Sequence, residues 1–127
     1  MQLKIMSYNV LHCELYKEKR IDFDRFAQVI SDRGADMIGL NEVRGAGERE
    51  DYKAQAEILS EKTGFYHYFA KAIDVGGKNP YGNAILSRYP ILHAETVAVP
   101  DPVIRIGRSR SEVRRRETRP GISHRRR

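Results

Sequence analysis

Apolar residues run out near residue 104, and that break limits the possible fold more than any motif does. Of the chain's 51 hydrophobic residues, 48 lie in residues 1–104; residues 105–127 keep only Ile106, Val113 and Ile122. Charge divides at the same place. Residues 1–104 carry 13 Lys+Arg against 15 Asp+Glu, a net −2, while residues 105–127 carry 10 Arg, no Lys and 2 Glu, a net +8. The overall +6 therefore describes neither part. Roughly 100 residues of ordinary apolar content can bury one core. The expected organisation is a single domain over 1–104 followed by an Arg-rich tail over 105–127.

Composition narrows the class further. No stretch approaches the roughly 18 to 20 apolar residues of a membrane span. The start, Met-Gln-Leu-Lys-Ile-Met-Ser-Tyr-Asn, lacks a basic head followed by an apolar run, so no secretory signal is expected. The single cysteine, Cys13, excludes an internal disulfide framework and a cysteine zinc cage. A cytoplasmic globular protein with a reduced, inert thiol is the expectation.

Periodicity orders the elements. Leu3–Val10 is an apolar-rich run that suits a buried strand. Asp22 can cap a helix in which Phe23, Phe26, Ala27 and Ile30 share one face, and Gly34 can stop it. Met37–Val43 reads as a strand. A second helix is expected from about Asp51 to Thr63, with Tyr52, Ala56 and Leu59 on one face and Gly64 as its stop. Phe65–Ala72, Asn83–Ser87 and Ile91–Val99 read as further strands, divided by turns at residues 76–80 and at Tyr89-Pro90. Gly76-Gly77-Lys78-Asn79 is not a phosphate-binding loop, because Lys78 precedes Asn rather than Ser or Thr.

The resulting order, β-α-β-α-β-β-β, favours parallel pairing of the first two long strands across a helical crossover. Their carboxyl ends then lie side by side, at the edge where α/β sites usually sit. Asn9 ends one strand and Glu42 the other, 33 residues apart in sequence. An amide oxygen and a carboxylate converging there make a site for a hard cation.

Three segments together resemble the endonuclease/exonuclease/phosphatase superfamily, the DNase I-like fold. They are Met6-Ser7-Tyr8-Asn9-Val10, then Asp36-Met37-Ile38-Gly39-Leu40-Asn41-Glu42-Val43-Arg44, then Tyr81-Gly82-Asn83-Ala84-Ile85-Leu86-Ser87-Arg88-Tyr89-Pro90-Ile91. Each is weak alone; in this order and on these elements the match is specific, and it covers residues 1 to about 100. The resemblance implies an α/β fold, an α+β sandwich of the DNase I-like type, of which this chain carries about the first half. It also implies hydrolysis of phosphate esters with Mg²⁺ or Mn²⁺, that is, a metal-dependent phosphodiesterase or phosphatase. Glu42 matches the family's metal-binding glutamate, and Asn9 its first-strand asparagine. A carboxylate suits Mg²⁺, and a bound cation can polarise a phosphoryl oxygen and acidify a water. Arg44 could hold a phosphate oxygen with its planar fork, or serve only as a surface ion pair. The Asn83 amide could do the same, or form a tight turn with Gly82.

Departures from the family pattern bear on activity. Leu11 stands where some members have Asp or His, and His12 follows it as an expected loop residue. The later Gly-Asp-Phe-Asn and Ser-Asp-His signatures are absent. His124 cannot replace the latter's histidine, since Ser123-His124-Arg125 has no aspartate. His67 and His93 fall in strand patterns and read as structural. This chain alone is therefore expected to lack activity.

The tail from Arg105 has three readings: a basic arm that binds nucleic acid by counterion release, an ordinary solvated terminus, or translation in a shifted frame. The third accounts together for the lost apolar periodicity, for Arg without Lys, and for the missing later signatures. The first supplies the alternative function, a non-catalytic nucleic-acid-binding protein. A half-sandwich also leaves a sheet face and an edge uncovered, so the chain is expected to be marginal, aggregation-prone or dependent on self-association through that face.

Overall fold

The computed structural model describes residues 1–99. Readings placed on residues 100–127, including the tail and its origin, lie outside the described residues. In chain order the elements are β1 (Ile5–Asn9), a tight turn at Leu11–Cys13, β2 (Glu14–Leu15), β3 (Arg20–Ile21), α1 (Phe23–Arg33), β4 (Met37–Arg44), α2 (Gln55–Thr63), β5 (Tyr66–Asp74) and β6 (Pro80–Ser87).

The helices start and stop for local reasons. Asp22 caps α1, its Oδ1 accepting from the Arg25 amide at 3.1 Å, which satisfies one of the free amides of the first turn. Gly34 ends α1 at φ 64° and Gly64 ends α2 at φ 77°, left-handed positions that cost glycine little. The expected α1 face is the observed one: Ala27 and Ile30 are buried, and Phe23 and Phe26 pack against the core.

α2 begins at Gln55, four residues after the expected Asp51. The intervening backbone is already engaged elsewhere. Tyr52 donates its amide to the Arg49 carbonyl at 3.0 Å, and its own carbonyl accepts from Gly47 at 3.0 Å. These bonds close a turn, and the first helical bond comes only from the Ile58 amide to the Ala54 carbonyl at 3.0 Å. Tyr52, Ala56 and Leu59 are nonetheless all buried, as the pattern requires.

Four strands form one sheet in the order β1-β4-β6-β5, and β2 pairs with β3 in a separate small hairpin that the periodicity did not reveal. β1 and β4 are parallel, with Asn9 opposite Asn41. β4 with β6, and β5 with β6, are antiparallel. Ile38, Leu40, Val43, Ala84 and Leu86 turn one face of the sheet into a core with Ala27, Ile30, Ala56 and Leu59 of the helices. The alternate residues occupy the opposite face, where Ile5, Tyr66 and Ile85 are exposed.

Two expectations fail on this sheet. Ile91–Val99 forms no strand. β6 is flanked on both sides by β4 and β5, so a chain leaving it would have to cross to an outer edge, β5 or β1, in order to pair. Gly82-Asn83 is not a turn but lies inside β6. Gly82 is required there by close approach: a Cβ at this position would stand 2.1 Å from the Ala70 carbonyl oxygen, beside the register shift between Lys71 and Ile73.

Among the described residues, no helix is long and apolar enough to cross a membrane.

Candidate functional site

The carboxyl ends of β1 and β4 are adjacent, and both leave regular geometry at that point. β4 slips register against β6 between Leu40 and Val43, so Asn41 and Glu42 together face the single residue Asn83. This is a β-bulge, and it sets Glu42 at φ +59°. A left-handed backbone is unfavourable for a residue with a Cβ, at a cost on the order of 1–2 kcal/mol. Beyond β1, Leu11, His12 and Cys13 have φ of 45°, 42° and 59°, three successive left-handed residues. Strain held in two neighbouring segments by the surrounding fold is characteristic of a functional site.

Bonds from several elements stabilise this corner. Val10 donates its amide to the Asn41 carbonyl at 3.1 Å, and Cys13 donates back to Val10 at 2.8 Å. Asn9 is exposed, and its Oδ1 accepts from the Leu11 amide at 3.0 Å, so the side chain closes the strained turn. Cys13 is fully buried beneath it, and burial pushes its thiol up to about 12. Gln55, also fully buried, accepts from the Arg44 amide at 3.0 Å and donates to the His12 carbonyl at 2.8 Å.

Glu42 is half-buried and meets Tyr81 of β6, whose hydroxyl donates to its Oε2 across 3.4 Å. The same hydroxyl lies 3.2 Å from His12 Nδ1. His12 Nε2 is 3.7 Å from Glu14 Oε2, too long for a hydrogen bond. Burial, and then the positive charge of Arg44, lower the His12 pKa below its ordinary value, with Glu14 and Glu42 partly opposing them. The ring is therefore neutral at pH 7. The network assigns its tautomer: an ionised carboxylate competes for the tyrosine proton better than a neutral imidazole. Tyr81 thus donates to Glu42 and accepts from His12 Nδ1–H. Burial, and then the Glu42 charge, push the Tyr81 hydroxyl up to about 12.

Arg44 stands opposite Tyr81 in the β4–β6 ladder. One of its terminal nitrogens reaches both the carboxylate and the carbonyl of Asp51 at 3.4 Å. Its guanidinium carbon lies 4.8 Å from the centre of the Tyr52 ring. Its Nε is buried without a partner among the described residues. Asn83 is exposed on the open face of the sheet, in register with Ala70.

The structure thus brings Glu42 beside the residue that pairs with Asn9, and places Arg44 and Asn83 on the strands around the bulge. Tyr81, Gln55 and Tyr52 join the site without a sequence signal of their own, apart from the place of Tyr81 at the head of a recognised segment. His12 lies in the turn after β1, as expected of a loop residue, and from there it meets the Tyr81 hydroxyl. Among the described residues no group of three His, Cys, Asp or Glu side chains is arranged to hold a metal ion. One carboxylate with neutral oxygen donors does fit a hard cation that keeps most of its waters, as Mg²⁺ commonly does.

A four-stranded mixed sheet with two helices against one face defines an α/β fold, and solved structures share it. An endonuclease/exonuclease/phosphatase from Beutenbergia cavernae superposes with a TM-score of 0.61 at 24% identity, over 72% of this chain and 27% of that one. An endonuclease/exonuclease/phosphatase family protein from Leptotrichia buccalis superposes with a TM-score of 0.55 at 22% identity, over 72% of this chain and 40% of that one. The match therefore spans less than half the length of either. No curated protein matches it in sequence. The pattern of the Endonuclease/Exonuclease/phosphatase family matches residues 6–125, and the chain belongs to that family. The family is one of phosphoesterase- and nuclease-type hydrolases with the DNase I-like fold.

Proposed function

We propose that this chain carries the cation-binding corner of a metal-dependent phosphoric ester hydrolase. The observation that carries the reading is the Glu42 carboxylate, held in a left-handed bulge at the carboxyl end of β4 and beside the end of β1. Glu42 and the Asn9 amide oxygen are the proposed ligands of Mg²⁺ or Mn²⁺. Such an ion supplies polarisation of a phosphoryl oxygen and a more acidic water. Asn83 offers an exposed amide donor to substrate phosphate. Arg44 adds fixed positive charge next to Glu42, oriented by Asp51 and Tyr52.

The same reading gives the chain weak cation binding and no turnover by itself. The described residues contribute one carboxylate to the corner, and neutral His12 is already committed to Tyr81. In-line attack on phosphorus calls for further groups that activate water and leaving oxygen. Substrate is read only as far as a phosphate ester, in a cytoplasmic setting.

Titration of the full chain with Mn²⁺ by calorimetry tests the site. Glu42→Ala is expected to remove the binding heat, and an unchanged isotherm would sink the proposal. The second reading, a non-catalytic nucleic-acid-binding protein, is favoured by the net +8 of residues 105–127. It calls for salt-sensitive oligonucleotide binding that disappears when those residues are deleted.

A further inference from the structure

We propose that Tyr81 is a positioning residue, its hydroxyl oriented by His12, which aims the Glu42 carboxylate at the bound cation. The inference rests on the reading of Glu42 as a cation ligand and deepens it.

The two contacts on one hydroxyl give the geometry. His12 Nδ1 lies 3.2 Å from the Tyr81 oxygen, and that hydroxyl is directed at Glu42 Oε2 across 3.4 Å. The rings of His12 and Tyr81 are 6.1 Å apart and tilted by 60°, an edge-to-face arrangement that restricts both. His12 is itself immobilised from the backbone, since its carbonyl accepts from buried Gln55 at 2.8 Å. Tyr81 is fixed in β6, with Arg44 opposite it on one side and Ile73 on the other. The chain of support therefore runs from the buried amide of Gln55 through His12 and Tyr81 to the carboxylate.

The strained backbone explains why Glu42 needs such support. At φ +59° the Glu42 side chain leaves a bulge rather than a regular pleat, so the strand alone does not define its direction. Tyr81 bonds one oxygen, Oε2, so the other would remain unengaged by it and could meet a cation. A carboxylate ligand held by an outer hydrogen bond loses less rotational freedom on binding, and removing such an outer partner typically costs 10–100-fold in metal affinity. The 3.4 Å separation is long for an O–H···O bond, which places the expected effect at the lower end of that range.

Paramagnetic broadening by Mn²⁺ tests this on the ¹⁵N-labelled full chain, with amide signals around Asn9 and Glu42 reporting affinity. Tyr81→Phe keeps the ring and deletes the hydroxyl; it is expected to weaken Mn²⁺ binding about tenfold. His12→Asn tolerates the left-handed backbone but is too short to reach Tyr81, and a smaller loss in the same direction is expected. This second variant decides the matter if Tyr81→Phe does not fold. A merely structural role of the tyrosine would lower the urea midpoint of Tyr81→Phe and leave the Mn²⁺ affinity of the folded variant unchanged. Unchanged Mn²⁺ affinity in folded Tyr81→Phe, or in His12→Asn if the first variant is unfolded, overturns the inference while leaving Glu42 as ligand. Unchanged affinity in Glu42→Ala overturns the reading beneath it as well.

Discussion

Gln55 holds His12 in place from the far side of the site: its buried Nε2 donates to the His12 carbonyl at 2.8 Å while its Oε1 accepts the Arg44 amide at 3.0 Å. One side chain thereby joins the start of α2 to the end of β4 and to the strained turn after β1. Gln55→Leu would leave a backbone donor and a backbone acceptor buried without partners. A loss of about 2–4 kcal/mol is expected, measured as a lower midpoint in urea. A loss below about 1 kcal/mol would show that water replaces the amide.

Gly82 tolerates no side chain where β5 and β6 approach. A Cβ there would stand 2.1 Å from the Ala70 oxygen and 2.8 Å from the Ala72 nitrogen, both backbone atoms that cannot move aside cheaply. Gly82→Ala is expected to cost about 2 kcal/mol or more and to shift the amide signals of β5. Wild-type stability in this variant would contradict the observed bulge.

Cys13 makes stability depend on alkaline pH. Burial raises its folded-state pKa from 9.0 to about 12. Between these values the unfolded chain releases a proton that the folded chain retains, so unfolding is favoured as pH rises. The contribution is intact below about pH 9 and is lost progressively as pH rises toward about 12. The native thiol should also resist a disulfide reagent at pH 8 and react once the chain is denatured. Rapid labelling of folded protein would mean that the turn over Cys13 opens readily.

The sheet face away from the helices is expected to mediate self-association. Ile5, Tyr66 and Ile85 are 71%, 50% and 50% exposed, and Ile5 shares its cross-sheet row with Met37, Ser87 and Tyr66. Ile85→Lys places a charge on that face without touching the core. It should reduce the mass measured by light scattering at high protein concentration, whereas equal mass in both proteins argues that this face stays free.

Deletion of residues 105–127 separates the fold from the basic arm. The described core lies within Met1–Thr96, so the melting temperature and Mn²⁺ affinity should be unchanged. Oligonucleotide binding, if the full chain has it, should vanish together with its salt dependence.

Much of this architecture was legible in the residue pattern. Asp22, Phe23, Phe26, Ala27, Ile30 and Gly34 mark α1 from cap to stop, because capping and amphipathic periodicity are local effects. Met37–Val43 and Leu3–Val10 mark β4 and β1 for the same reason. Local signals failed where a partner decided the outcome. Residues 51–54 look helical, but Tyr52 is engaged by the turn beside Arg44, and Ile91–Val99 looks like a strand but pairs with neither outer edge of the sheet. The placement of Asn9 and Glu42 near the carboxyl ends of neighbouring parallel strands was recognisable. Tyr81, Gln55 and the role of His12 were not, because their contacts span 39, 11 and 69 residues of sequence.

Residue order alone establishes the two helices, the main strands of the sheet and the family, and it marks Asn9 and Glu42 as candidates at adjacent strand ends. These follow from periodicity, capping and short motifs, all of which act within a few turns of chain. Tertiary pairing alone decides that β4 bulges against β6, that Glu42 and His12 adopt left-handed backbones, and that one tyrosine hydroxyl lies between them. Such strain is unfavourable for each residue taken singly, so it exists only where packing and hydrogen bonds from distant segments outweigh it.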